Sequence, residues 1–171
     1  TTGKIELYCL TFAALGQDPL PVYEEPRFSP YAKPEWAEEY PLILTTGQRH
    51  WASFHSEHRE VAVLREIKPG PLVEIHPNTA KKYGIKQGDT VVIENPWGKC
   101  EMEANLRPIL KENVIAADHG WWFPEEEPEE PHLYGVWRAN INLLVPHNEI
   151  GPFGFGALFK SLPCKIYKKR D

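Results

Sequence analysis

The residues best equipped for chemistry gather in the run QRHWASFHSEHR, between Gln48 and Arg59. This run is polar, shows neither a helical nor a strand period, and reads as a long loop. Arg49 brings a planar, permanently charged fork of donors suited to phosphate or to a ring carbonyl. His55 and Ser56 add short polar groups. Just upstream, Thr46-Gly47 ends an apolar run with a residue that lets other groups approach the backbone closely. Farther along, Asn142 can both donate to and accept from the edge of a heteroaromatic ring, and Lys160 can neutralise an anion.

Two other chemistries compete for these residues. His55 and His58 lie three apart, a spacing that on a helix would place both on one face and suggest a metal. With Asp118 and His119 they could serve a metal hydrolase, but no HExxH or similar spacing supports that. Each polar residue also has an ordinary reading. Thr46 can simply end a strand, Arg49, His50 and Trp51 can form a surface cluster, and Asn140 and Asn142 can cap turns. Cys9, Cys100 and Cys164 are far apart and form no CxxC, which excludes a zinc knuckle or an iron–sulfur cluster within this chain. They read as three packed or free thiols.

The chain has 171 residues, 42% hydrophobic and 25% charged, which suits one domain with a sizeable core. A net charge of -5 and the lack of any basic stretch argue against a nucleic-acid partner. The tail residues Lys165, Lys168, Lys169 and Arg170 read as a solvated end. No apolar run approaches membrane-spanning length.

The elements that must position these residues are short. Lys4–Leu10 alternates polar and apolar residues and predicts a strand entered at once. With no Met and no signal peptide ahead of it, the chain reads as cut from a longer one, so localisation cannot be read. Residues 16–40 interleave Pro19, Pro21, Pro26, Pro30 and Pro34 with Tyr23, Phe28, Tyr31 and Trp36. Proline at that density forbids a helix or a central strand, so an extended arm is expected, its rings anchoring it to a larger body. Pro41–Thr46 predicts a buried strand, and Ala62–Ile67 a short helix or strand. Leu72–Ile75 predicts a strand and Pro77–Tyr83 a helix opened by proline and closed at Gly84. Thr90–Glu94 and Lys99–Leu106 predict a hairpin about Asn95-Pro96-Trp97-Gly98. Val114–Ala117 and Leu162–Tyr167 are further strands. The acidic proline run at 124–131 predicts an exposed, mobile loop. Many short strands, few helices and many turns give a mainly β domain, a barrel.

Residues 73–98, VEIHPNTAKKYGIKQGDTVVIENPWG, resemble the double-psi β-barrel that ends molybdopterin oxidoreductases of the DMSO reductase-like family. Upstream, Leu44-Thr45-Thr46-Gly47-Gln48-Arg49 is similar to that family's Thr-Gly-Arg strand end, with Gln48 inserted, and His55-Ser56 to its His-Ser or His-Thr. Gly3–Tyr8 resembles the segment leading into the domain. Downstream, Asp118-His119-Gly120-Trp121-Trp122, Asn140–Leu144 and Lys160–Ile166 resemble its remaining signatures, in the same order. The acidic loop at 124–131 is longer than the resemblance leads one to expect.

The resemblance implies a mainly β fold, a double-psi β-barrel with short helices and an extended N-terminal arm. Residues 1–40 would be the lead-in strand and arm, and 41–171 the molybdopterin dinucleotide-binding barrel. It implies a cap gripping a bis(molybdopterin guanine dinucleotide), with molybdenum or tungsten held together with other domains. The implied binding positions are Thr46, Gly47, Arg49, His55, Ser56, Asn142 and Lys160, with Trp121 and Phe159 as flanking ring surfaces. No catalytic or metal-ligating residue is expected here. The parent subunit is expected to carry a 4Fe–4S cluster and to meet an electron-transfer subunit. The chain alone is expected to hold no cofactor and to have no turnover. Formate, thiosulfate or polysulfide, sulfoxides and nitrate stay open as substrates. The alternative is a non-catalytic double-psi barrel used for protein recognition. The Thr-Gly, His-Ser and Asn pieces lie outside the barrel's own grammar and favour the cofactor reading.

Overall fold

The computed structural model describes residues 3–48, 50–151 and 156–170. Along the chain come α1 (Leu10–Ala14), α2 (Pro34–Ala37), β1 (Leu42–Gln48), α3 (Ala62–Ile67), β2 (Leu72–Ile75) and α4 (Pro77–Lys82). They are followed by β3 (Thr90–Asn95), β4 (Gly98–Leu106), β5 (Val114–Asp118), α5 (Val136–Ala139) and β6 (Leu162–Lys168), with 3-10 turns at Leu133–Gly135 and Ile141–Leu144.

The strands close into a barrel in the order β1-β5-β2-β4-β3-β6. β1 runs parallel to β5 and β2 parallel to β4, while the other neighbours are antiparallel. This is the mainly β, double-psi type of barrel expected, with short helices. Val73, Ile75, Val91, Ile93, Ile115 and Leu162 are fully buried within it, because alternate residues of each strand face one side. Cys100 and Cys164 lie in the same core, and burial pushes the Cys100 thiol up to about 12. These two are packed thiols.

The local grammar of α4 holds residue by residue. The ring of His76 accepts from Asn78 N at 3.1 Å, Pro77 occupies the first turn, and Gly84 takes a left-handed φ of 67° just past the end. The hairpin of β3 and β4 turns on Asn95, whose side-chain oxygen accepts from the backbone N–H of Trp97 and Gly98. Of the two options for Ala62–Ile67, the helix is the one formed.

One expectation needs correction. No strand forms at Lys4–Leu10; the chain there is irregular and turns into α1 at Leu10. Alternation makes a strand only where an edge is free to pair with, and the closed barrel offers none. Ile5, Leu7 and Leu10 are therefore exposed. In the arm, two of the four rings pack within this chain. Phe28 stacks on Trp36 and meets Trp97 edge-on at 4.8 Å, whereas Tyr23 and Tyr31 are exposed. The acidic loop is exposed as expected, but it is tethered. Glu125 pairs with Arg65 at 2.6 Å and Glu126 with Arg138.

Candidate functional site

Two parallel strands, β1 and β5, end side by side, and their ends make the floor of the site. The register shifts between Thr46 and Gln48, so Gly47 is the extra residue of a bulge. Its φ of 81° is left-handed, and a Cβ there would sit 3.4 Å from His119 Nδ1 and 3.6 Å from Lys160 Nζ. Glycine at 47 thus keeps open a space that a side chain would fill. Thr46 is buried, and both its N–H and its hydroxyl donate to the carbonyl of Phe159. Lys160 reaches back over the same strand end and donates from Nζ to the Thr46 carbonyl. The segment 159–160 is thereby stitched across the end of β1.

The opposite wall comes from the 3-10 turn Ile141–Leu144. Asn140 caps this turn by accepting from Asn142 N at 3.0 Å, which leaves the side chain of Asn142 at the cleft. The turn is seated on the β3–β4 hairpin. Asn95 Nδ2 donates to the Leu144 carbonyl at 2.8 Å, and a Cβ on Gly98 would meet the Leu143 carbonyl oxygen at 2.6 Å. Hairpin chemistry remote from the cleft therefore fixes where Asn142 stands.

The resulting cleft measures about 430 Å³ and is lined by Thr46, Gly47, His55, His119, Asn142, Phe159 and Lys160. No carboxylate is among these lining residues. His55 Nδ1 and His119 Nε2 face each other at 2.9 Å. His119 takes its place because Asp118 is held the other way. The Asp118 carboxylate meets Lys68 Nζ at 2.6 Å and accepts from Leu72 N at 2.8 Å, deep in the structure. Burial first, and then the Lys68 charge, lower the pKa of nearby His50. Its Nδ1 accepts from Ala52 N.

The structure thus brings together Thr46, Gly47, His55, Asn142, Phe159 and Lys160 of the expected set. Ser56 is exposed beside the cleft, its backbone pressed on Gly120 and its carbonyl accepting from Trp122 Nε1. Arg49 lies outside the described residues. Trp121 departs from the expectation of a flanking ring surface. It is 1% exposed and lies under the guanidinium of Arg59, 4.0 Å from its ring. Residue type alone does not reveal to which side of a turn a ring goes. Sequence reasoning missed His119 as a lining residue, although it stands between a buried strand end and Gly120, a position that commonly projects a side chain from a sheet's end.

Among the described residues, a cation, an amide, two imidazoles, a hydroxyl and a glycine bend suit a ligand with phosphate oxygens and a heteroaromatic edge. A metal group fits poorly. Among the described residues no three His, Cys, Asp or Glu are placed to hold an ion. His55 and His58 both have left-handed φ in a loop rather than sharing a helix face.

Comparison with known proteins points the same way. Residues 42–163 match the family described as Molydopterin dinucleotide binding domain. Dopamine dehydroxylase of Eggerthella lenta is 42% identical over 149 residues, covering 87% of this chain and 14% of that protein. Acetylene hydratase of Syntrophotalea acetylenica is 38% identical over 126 residues, covering 74% of this chain and 17% of that protein. The solved structure of acetylene hydratase from Pelobacter acetylenicus superposes with a TM-score of 0.89 at 31% identity, over 98% of this chain and 24% of that one. The chain thus spans less than a quarter of the length of these relatives. They favour cofactor binding over a barrel used for protein recognition. The chain belongs to the molybdopterin dinucleotide-binding domain family of the DMSO reductase-like molybdopterin oxidoreductases.

Proposed function

We propose that this domain grips the nucleotide end of a bis(molybdopterin guanine dinucleotide) within a larger oxidoreductase subunit, residues 41–171 forming the grip and 1–40 the arm toward the rest. The observation that carries this reading is the cleft between the ends of β1 and β5. It is open at Gly47, edged by Lys160 and Asn142, and lined by no carboxylate among the described residues. The cofactor fits this donor set. Lys160 would meet phosphate oxygens, Asn142 a ring edge, and the backbone at Thr46-Gly47 the closest approach, while Phe159 offers an apolar side. Arg49, His55 and Ser56 belong to the same proposed contact set; Trp121 would act from beneath. When bound, the cofactor supplies the redox chemistry through its metal, molybdenum or tungsten. The chain's own residues bind, orient and shield it. A 4Fe–4S cluster in the parent and an electron-transfer subunit as partner complete the proposal. No helix among the described residues is long and apolar enough to cross a membrane.

Protection of Lys160 tests this reading. In the cofactor-free parent subunit an amine reagent should modify Lys160, whose side chain is exposed. The cofactor-loaded subunit should protect it, read by mass spectrometry against Lys81 and Lys82 on exposed positions of α4. Equal labelling in both forms would refute cofactor contact at this cleft.

A further inference from the structure

Arg59 is 4% exposed, yet among the described residues no carboxylate accepts from it. Its partners are carbonyls. Nη2 donates to His55 O at 2.7 Å and lies 3.5 Å from both His119 O and Gly120 O, while Nη1 donates to Glu57 O at 3.3 Å. The guanidinium plane rests on Trp121. One buried side chain thus fastens the 55–59 loop to the 119–120 turn, which meet nowhere in sequence. His55 is held at a left-handed φ of 50°, a conformation that survives only where its surroundings enforce it. The product of this fastening is the 2.9 Å approach of His55 Nδ1 to His119 Nε2.

We propose that Arg59 is a positioning residue that holds His55 and His119 as one hydrogen-bonded unit at the mouth of the cleft, so that the two rings read a ligand jointly. A neutral imidazole carries one N–H and one bare nitrogen. Across the contact, one ring donates and the other accepts. The outer nitrogens are then complementary. If His119 donates from Nε2, its Nδ1 accepts and His55 Nε2 donates; if His55 donates from Nδ1, both outer roles reverse. Whatever meets His119 Nδ1 therefore sets what His55 Nε2 shows to the cleft. A ligand matching one of these two patterns is preferred over a ligand needing two acceptors. The ligand side of this inference rests on the cofactor reading above; the pairing itself does not.

Nitrogen-15 spectra of histidine-labelled chain test the pair directly. The wild type should show one facing nitrogen protonated and the other bare. His119→Ala should return His55 to the tautomer mixture of a free imidazole. Arg59→Met, which keeps an apolar stem on Trp121 but loses the carbonyl donors, should do the same with an unchanged far-UV spectrum. Arg59→Lys, with an N–H donor for the His55 carbonyl, should restore part of the signature and covers the case in which the Met variant does not fold. A free-imidazole mixture at His55 in the wild type, or an intact pair in Arg59→Met, overturns the proposal. In the parent subunit, pterin content should fall severalfold in His55→Ala and in His119→Ala, and no further in the double variant, as expected for one unit. Losses that multiply would overturn the coupling. Full pterin content in all three would sink the cofactor reading while leaving the spectroscopic result to stand.

Discussion

Cations flank the chain segment 118–121 on two sides, and the two sides do opposite work. On one side Lys68 is 6% exposed and tied to Asp118, with Arg59 donating to backbone carbonyls above Trp121. On the other, Lys160 is exposed at the edge of an open cleft and donates to the carbonyl of Thr46. Buried cations must find their counter-groups within the protein, because desolvation is otherwise prohibitive. The exposed one stands beside a glycine-made gap with no carboxylate to neutralise it. The contrast separates a charge that builds the fold from a charge left for a ligand, which the residue type does not.

The contrast can be broken from either side. Lys68→Met leaves the Asp118 carboxylate buried with one backbone N–H for company. We expect a loss of roughly 3–5 kcal/mol of stability, read by urea unfolding; a loss near zero would mean that water reaches Asp118. A smaller effect is expected at the support of the cleft wall. Gly98→Ala drives a Cβ to 2.6 Å from the Leu143 carbonyl oxygen. Overpacking of this kind costs about 1–3 kcal/mol, and it should shift the amide resonance of Asn142. Unchanged resonances would show that the turn is placed by something other than the hairpin. The smallest effect belongs to the ligand-facing cation. Lys160→Ala should change stability by no more than about 0.5 kcal/mol, measured in the same unfolding experiment. A loss as large as that of Lys68→Met would make Lys160 a structural residue.

Legibility in the sequence followed the range of the forces. The helix α4 was readable because Pro77 and Gly84 act on their own neighbours, and the β3–β4 hairpin because Asn95 bonds to residues two and three ahead. The period-2 pattern at Lys4–Leu10 was equally clear and misled, since pairing depends on an edge elsewhere. Among the cleft residues, Thr46, Gly47, Asn142 and Lys160 were named from family-like motifs whose physical sense is local: a strand end, a bend, an amide, a charge. The role of Arg59 and the lining role of His119 were hidden, because they come from contacts 60 to 64 residues away in sequence, between His55 or Arg59 and His119. The burial of Trp121 was hidden for the same reason. Its ring lies under Arg59 and 5.9 Å from Lys68 Nζ, contacts that no local pattern connects.

The central claim is that the cleft at the ends of β1 and β5 holds a pterin nucleotide. Its most direct test is the pterin content per chain of the parent subunit carrying Asn142→Ala and Lys160→Ala together, with the melting temperature taken on the same sample. The account predicts a severalfold loss of pterin at an unchanged melting temperature. Full pterin content in that variant would contradict it.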